Sequence, residues 1–130
     1  MEEKRSMISE LIELAKVDGQ VSEQEVGFIK QIGNMMGMQD ADILALFKEP
    51  APFDPPDPHF DRIVHFQQMV LLMNVDQEVD NSEISHLRYM GMKLGLNPNA
   101  VNEVLKRMYE YPNNMIPADE LIKIYAKHMN

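Results

Sequence analysis

Four carboxylates are placed so that they could do chemistry: Asp18 and Glu25, and the matching pair Asp76 and Glu83 at a constant offset of 58 residues. Asp18-Gly19-Gln20-Val21-Ser22-Glu23-Gln24-Glu25 has the layout of the second half of an EF-hand calcium loop, with its glycine, its apolar eighth residue and its closing glutamate. Calcium also needs oxygen ligands at the first and third loop positions. Those positions hold Leu14 and Lys16, and in the second copy Leu72 and Asn74, with Gln77 in place of the glycine. A complete calcium loop is therefore not expected. Two roles remain for the four acids: a looser divalent-cation site built from Asp18, Glu25, Asp76 and Glu83, or the capping and turning of helices. No other cofactor is expected.

Glu83-Ile84-Ser85-His86 has the Glu-x-x-His spacing of di-iron bundles, in which residues three apart share a helix face. Such a centre needs a second Glu-x-x-His pair, and the residue matching His86 in the first copy is Phe28. A di-metal enzyme is thus the weaker alternative. The four histidines (His59, His65, His86 and His128) show no ligand spacing among themselves and read as surface or capping residues. Cysteine is absent, which excludes disulfides, thiolate metal sites and cysteine nucleophiles. No glycine-rich phosphate loop and no nucleophile elbow is present, so no catalytic residue is assigned and the chain is expected not to be an enzyme.

The elements that must hold these acids follow from an internal repeat. At the same offset Leu14 matches Leu72, Val17 matches Val75, Gly33 matches Gly91 and Gly37 matches Gly95, with no gap over about 11–47 and 69–105. Apolar residues at helical spacing predict a helix over 3–16, with Glu10 and Glu13 on its wetter side. Ser22 and Glu25 form a capping box that opens a second helix burying Val26, Ile29, Ile32 and Met36 and ending near Gly37. A third spans about 39–48, with Ile43, Leu44 and Phe47 inward. The second copy runs through His59–Asn74, apolar almost all round at Met69–Met73, then a helix from Asp80 and Glu83 to near Gly95. Asn97-Pro98 opens the next, carrying Val101, Val104, Leu105 and Met108. Pro117 starts the last, with Leu121, Ile122, Ile124 and Tyr125. The fold class is therefore all-α: a single domain of about seven helices built from two pseudo-repeats. The five prolines between Pro50 and Pro58 read as a stiff spacer between the copies.

Leu14-Ala15-x-x-Asp18-Gly19-x-Val21-Ser22-x-x-Glu25, followed by Ile29, Ile32 and Gly37, resembles the signature helix pair of the TerB-like family, named for tellurite-resistance proteins. The resemblance covers about residues 5–48, and more loosely 64–108. It implies an all-helical bundle with an acidic surface and a non-enzymatic role in ion binding or stress scaffolding, in which Asp18 and Glu25, echoed by Asp76 and Glu83, form the acidic pairs. Gln77, where the pattern has glycine, sets the second copy apart from the first.

Composition narrows the partners. A net charge of −9, from 21 acids and 12 bases, repels phosphate backbones, so nucleic acid is not expected. The longest apolar run, Met69–Met73, is far short of the ~20 residues a membrane span requires. With acids at the N-terminus and no secretory signal, the expected location is the cytoplasm. The 12 methionines fill irregular cores and also build adaptable peptide grooves. Because Met35, Met36 and Met38 cannot all face inward, a protein partner or a homodimer is the expected interaction, and a methionine-rich peptide-binding module is the alternative function.

Overall fold

The computed structural model describes residues 2–17, 19, 21–56, 59–75 and 81–128. Asp18, Asp76 and the expected cap Asp80 lie outside these residues. Seven α-helices and no strand are found among them: α1 (Glu2–Lys16), α2 (Glu23–Met35), α3 (Asp40–Lys48), α4 (His59–Met73), α5 (Asn81–Lys93), α6 (Pro98–Arg107) and α7 (Ala118–Lys127). The all-helical expectation holds. Two 3₁₀ turns, Met108–Glu110 and Pro112–Asn114, carry the chain from α6 towards α7.

Helix α1 is central and packs against α2, α3, α4 and α5, while α6 lies against α5 and α7. Its apolar stripe of Ile8, Leu11, Ile12, Leu14 and Ala15 is buried, and α4 answers with Phe66, Met69, Val70, Leu72 and Met73. Each such aliphatic or aromatic side chain contributes about 1.5–3 kcal/mol when fully withdrawn from water. Together these two helices form the middle of one continuous core.

Helix ends are set by local chemistry. At the start of α2, Ser22 Oγ accepts from the Glu25 backbone N–H at 3.1 Å, and Glu25 Oε1 accepts from the Ser22 N–H at 2.9 Å. This is the expected capping box. At its other end Gly37 takes φ +89°, the left-handed region open to glycine. Gly37 N–H then donates to Asn34 and Met38 N–H to Gly33, closing a Schellman motif. Helix α5 ends with the same two bonds, Gly95 to Met92 and Leu96 to Gly91, with Gly95 at φ +77°.

One ridge-to-groove contact also recurs. Gly33 lies under Ile43 of α3, so that a Cβ there would stand 2.8 Å from Ile43 Cγ1. Gly91 lies under Val101 of α6, where a Cβ would stand 2.9 Å from Val101 Cγ2. The absence of a side chain lets each following helix approach closely.

Several local expectations are corrected. Glu10 is buried at 4% exposure, not on the wet side of α1. His65 is buried completely and is no surface residue. In α3 the core residue beside Ile43 is Leu46, whereas Leu44 is exposed, and in α7 Ile122 is exposed. The proline stretch does more than space the helices, because residues 50–56 lie along α1 as an anchored strap. Four of those seven residues are prolines and lack an N–H. Of the three remaining donors, Ala51 N–H reaches Ser9 Oγ at 2.9 Å and Asp54 N–H reaches Ser6 Oγ at 2.8 Å. Arg62 of α4 ties the strap's end down by donating to Pro56 O, and it also donates to Leu94 O at the end of α5.

Candidate functional site: a cleft between α1, the strap and α5

The face of α1 that turns towards the strap carries Ser6, Ser9, Glu10 and Glu13, spaced three to four residues apart as neighbours on one side of a helix must be. Ser6 and Ser9 tie the strap to the helix. A cleft of about 380 Å³ opens between them, walled by Ile12 and Lys16 of α1, by Pro50, Ala51 and Phe53 of the strap, and by Lys93 at the end of α5. Most of its surface is apolar; its charges are Glu10 and Glu13 on one side of the balance, Lys16 and Lys93 on the other.

Glu10 lies against α4. Its Oε1 is 2.9 Å from Nε2 of the fully buried His65. One of those two atoms must carry a proton for the contact to be a hydrogen bond. The second carboxyl oxygen, Oε2, is buried and has no hydrogen-bond partner among the described residues, and neither has His65 Nδ1. A buried polar atom without a partner costs about 1–3 kcal/mol, and Glu10 Oε2 is such an atom, held out of water.

His86 of α5 stands within electrostatic reach of the same group. Burial lowers its pKa below the ordinary histidine value; the nearby Glu13 and Glu10 carboxylates work against that and Lys93 works with it. Its Nε2 is also buried without a partner. At the rim, Lys93 Nζ sits 4.1 Å from the centre of the Phe53 ring and 5.6 Å from that of Tyr89, a cation–π arrangement. Lys16 is already committed, donating to Phe47 O at 2.7 Å.

Of the acids singled out by spacing, Glu25 and Glu83 do not line this cleft. Glu25 is 5% exposed, with one carboxyl oxygen engaged in the capping box. Glu83 is 3% exposed near the start of α5. Asp18 and Asp76 fall outside the described residues. Among the described residues no three His, Cys, Asp or Glu side chains form a group able to hold a metal ion. His128 belongs to a different cluster, bonding Glu103 at 2.8 Å beside Lys127 and Arg107.

Sequence reading missed Glu10 and His65 because each was judged within its own helix. Each is a polar residue inside an otherwise apolar stripe, and that is the signal that could have paired them. No family model, no curated protein and no solved structure matches the chain. No helix among the described residues is long and apolar enough to cross a membrane.

Proposed function

We propose that the protein acts by binding and not by catalysis, and that it holds a small polar molecule in the cleft floored by Glu10. One observation carries this reading: a cleft of about 380 Å³ with largely apolar walls carries a few charged side chains, one of which, Glu10, is fixed in place through one oxygen by His65. Pockets that recognise small molecules combine apolar walls with a few fixed polar groups, and the apolar strap and Ile12 supply the walls. The TerB-like resemblance and the acidic surface favour the same non-enzymatic class. A metal site at the acidic corners has less support, because Glu25 already serves a helix cap.

The test is a thermal-shift screen of a broad metabolite collection against the wild type and Glu10→Gln. Glutamine keeps the shape and a hydrogen bond to His65 while removing the ionisable carboxyl group. At least one compound should stabilise the wild type and not the variant. A screen in which no compound does so contradicts the proposal.

A second reading, docking of another protein, is favoured by exposed apolar side chains on α5 and α2, with Met92 at 64% and Met35 at 76% exposure. Light scattering of the wild type against Met92→Glu and Met35→Glu tests it for self-association; a mass unchanged at all concentrations speaks against a homodimer.

A further inference from the structure

Resting on the second reading, that another protein docks on α5, we infer that the groove between α5 and α6 takes an acidic helical segment of a partner protein. That segment sets one large apolar side chain on Val101 and a carboxylate on Arg88. The groove measures about 160 Å³ and is lined by Arg88, Met92, Pro98, Val101 and Asn102. Pockets that enclose small molecules run to roughly 300–1,000 Å³, so this one suits a single side chain. Val101, seated on Gly91, is buried and makes the floor. Met92 is exposed on one wall, where a flexible thioether chain adapts to what enters.

The corresponding corner of α2 and α3 is closed by the chain's own polar groups. Counting back 58 residues, Arg88, Met92 and Pro98 become Lys30, Asn34 and Asp40. Asn34 Nδ2 donates to Asp40 Oδ1 at 3.0 Å, and Lys30 Nζ stands 4.0 Å from Asp40 Oδ2. Methionine and proline at the matching positions can make no such bond. Between α5 and α6 the apolar surface therefore stays open.

Charge selects the occupant. Arg88 and Lys106 are the exposed charged residues of α5 and α6, and both are cations. Of the acids on these helices, Glu83 is buried and Glu103 is held by Arg107, Lys127 and His128. Arg88 Nε donates to Asn102 Oδ1 at 3.0 Å, which fixes the guanidinium at the rim. Its terminal N–H groups have no partner among the described residues, and such a fork binds a carboxylate at two points. Lys106 follows one turn beyond Asn102 on α6, where it meets a second acid. The net charge of −9 opposes an acidic partner at long range. Dissolved salt screens that field over about 8 Å under physiological conditions, so the charges at the rim decide. A basic segment would meet two cations beside its anchor. A helix with one apolar anchor and acids three or four residues away meets a partner for each, as helices laid in grooves do.

Selection of random ~12-residue peptides, about three helical turns, on the immobilised full chain tests this, followed by fluorescence anisotropy of the enriched peptides. These should carry Leu, Met or Phe with Asp or Glu three or four residues away, and should bind saturably. Met92→Glu and Arg88→Glu should each weaken binding at least tenfold. Peptides whose acids are changed to lysine should bind Arg88→Glu more tightly than the wild type. Lys48→Glu, a charge reversal on the exposed side of α3, should leave binding unchanged. All three positions are exposed, and unchanged melting temperatures check that the variants fold. Enriched peptides that are basic, or that ignore Arg88→Glu, overturn the inference while the docking reading stands. A mass that rises with concentration in light scattering and falls back in Met92→Glu makes the occupant a second copy, and again overturns the inference alone. If no peptide is enriched and the mass stays constant, both fall.

Discussion

Glu10 and His65 meet at 2.9 Å across the α1–α4 interface, 55 residues apart in sequence and both withdrawn from water. Two helices that share a large apolar contact thus also share one polar bond inside it. Removing one member of a buried, hydrogen-bonded pair of ionisable groups typically costs about 3–5 kcal/mol, because the other is left without its partner. His65→Leu should therefore destabilise the fold by that order. The double variant Glu10→Leu/His65→Leu should recover much of the loss, since both polar groups are then gone. Urea denaturation of the two single variants and the double reads the coupling, and additive losses would mean that the pair is not energetically linked.

The glycines under Ile43 and Val101 offer a paired test of packing. Gly33→Ala and Gly91→Ala each force a methyl group to within 3 Å of a facing side chain. Each should cost about 1–3 kcal/mol, as overpacking does. Trimming the neighbour in Gly33→Ala/Ile43→Ala should relieve the clash and expose only the separate cost of the lost isoleucine atoms. Denaturation midpoints that fall for one glycine and not the other would show that the two helix corners are not equivalent.

Glu103 gives the fold a pH dependence. Hydrogen bonds from Lys127 and His128, with a further one from Arg107, hold its carboxyl down to about 2 against the opposing effect of burial. Its folded pKa lies below the ordinary value of 4.5. The stability it supplies is therefore fully present above about pH 4.5 and is lost as the pH falls through the folded value. Glu103→Gln should lower the melting temperature at pH 6 and narrow the gap to the wild type near pH 2–3. A gap that stays constant across that range would show that Glu103 does not act through its charge.

The capping box separates a structural from an ion-binding role for the first acidic corner. Ser22→Ala removes the acceptor of the Glu25 N–H and should cost about 0.5–2 kcal/mol, measured by chemical denaturation. Calcium, magnesium and zinc should leave the wild type's melting temperature unchanged. Saturable micromolar binding that disappears in Asp18→Asn would instead assign the corner to a cation.

Much of the architecture was legible in the sequence because it rests on local rules. Apolar spacing marks the helices, the Ser22–Glu25 pair marks the start of α2, and Gly37 and Gly95 mark two ends. What was not legible depends on contacts between distant segments. Glu10 reads as solvent-facing from its own helix, and only α4 converts it into a buried partner of His65. The prolines announce an extended segment, but nothing in their spacing says that Ser6 and Ser9 will bind it down. The choice of Leu46 over Leu44 turns on a small rotation of a nine-residue helix, finer than a hydrophobic stripe resolves.

The central claim is that the working surface is the Glu10 cleft and not the acidic corners. Backbone amide spectra of ¹⁵N-labelled protein, recorded while a stabilising compound from the metabolite screen is titrated in, test it most directly. The account expects shifts centred on Ser6, Ser9, Glu10, Ala51 and Lys93, absent in Glu10→Gln. Shifts centred on Ser22–Glu25 and the start of α5, with the cleft residues unmoved, would contradict it.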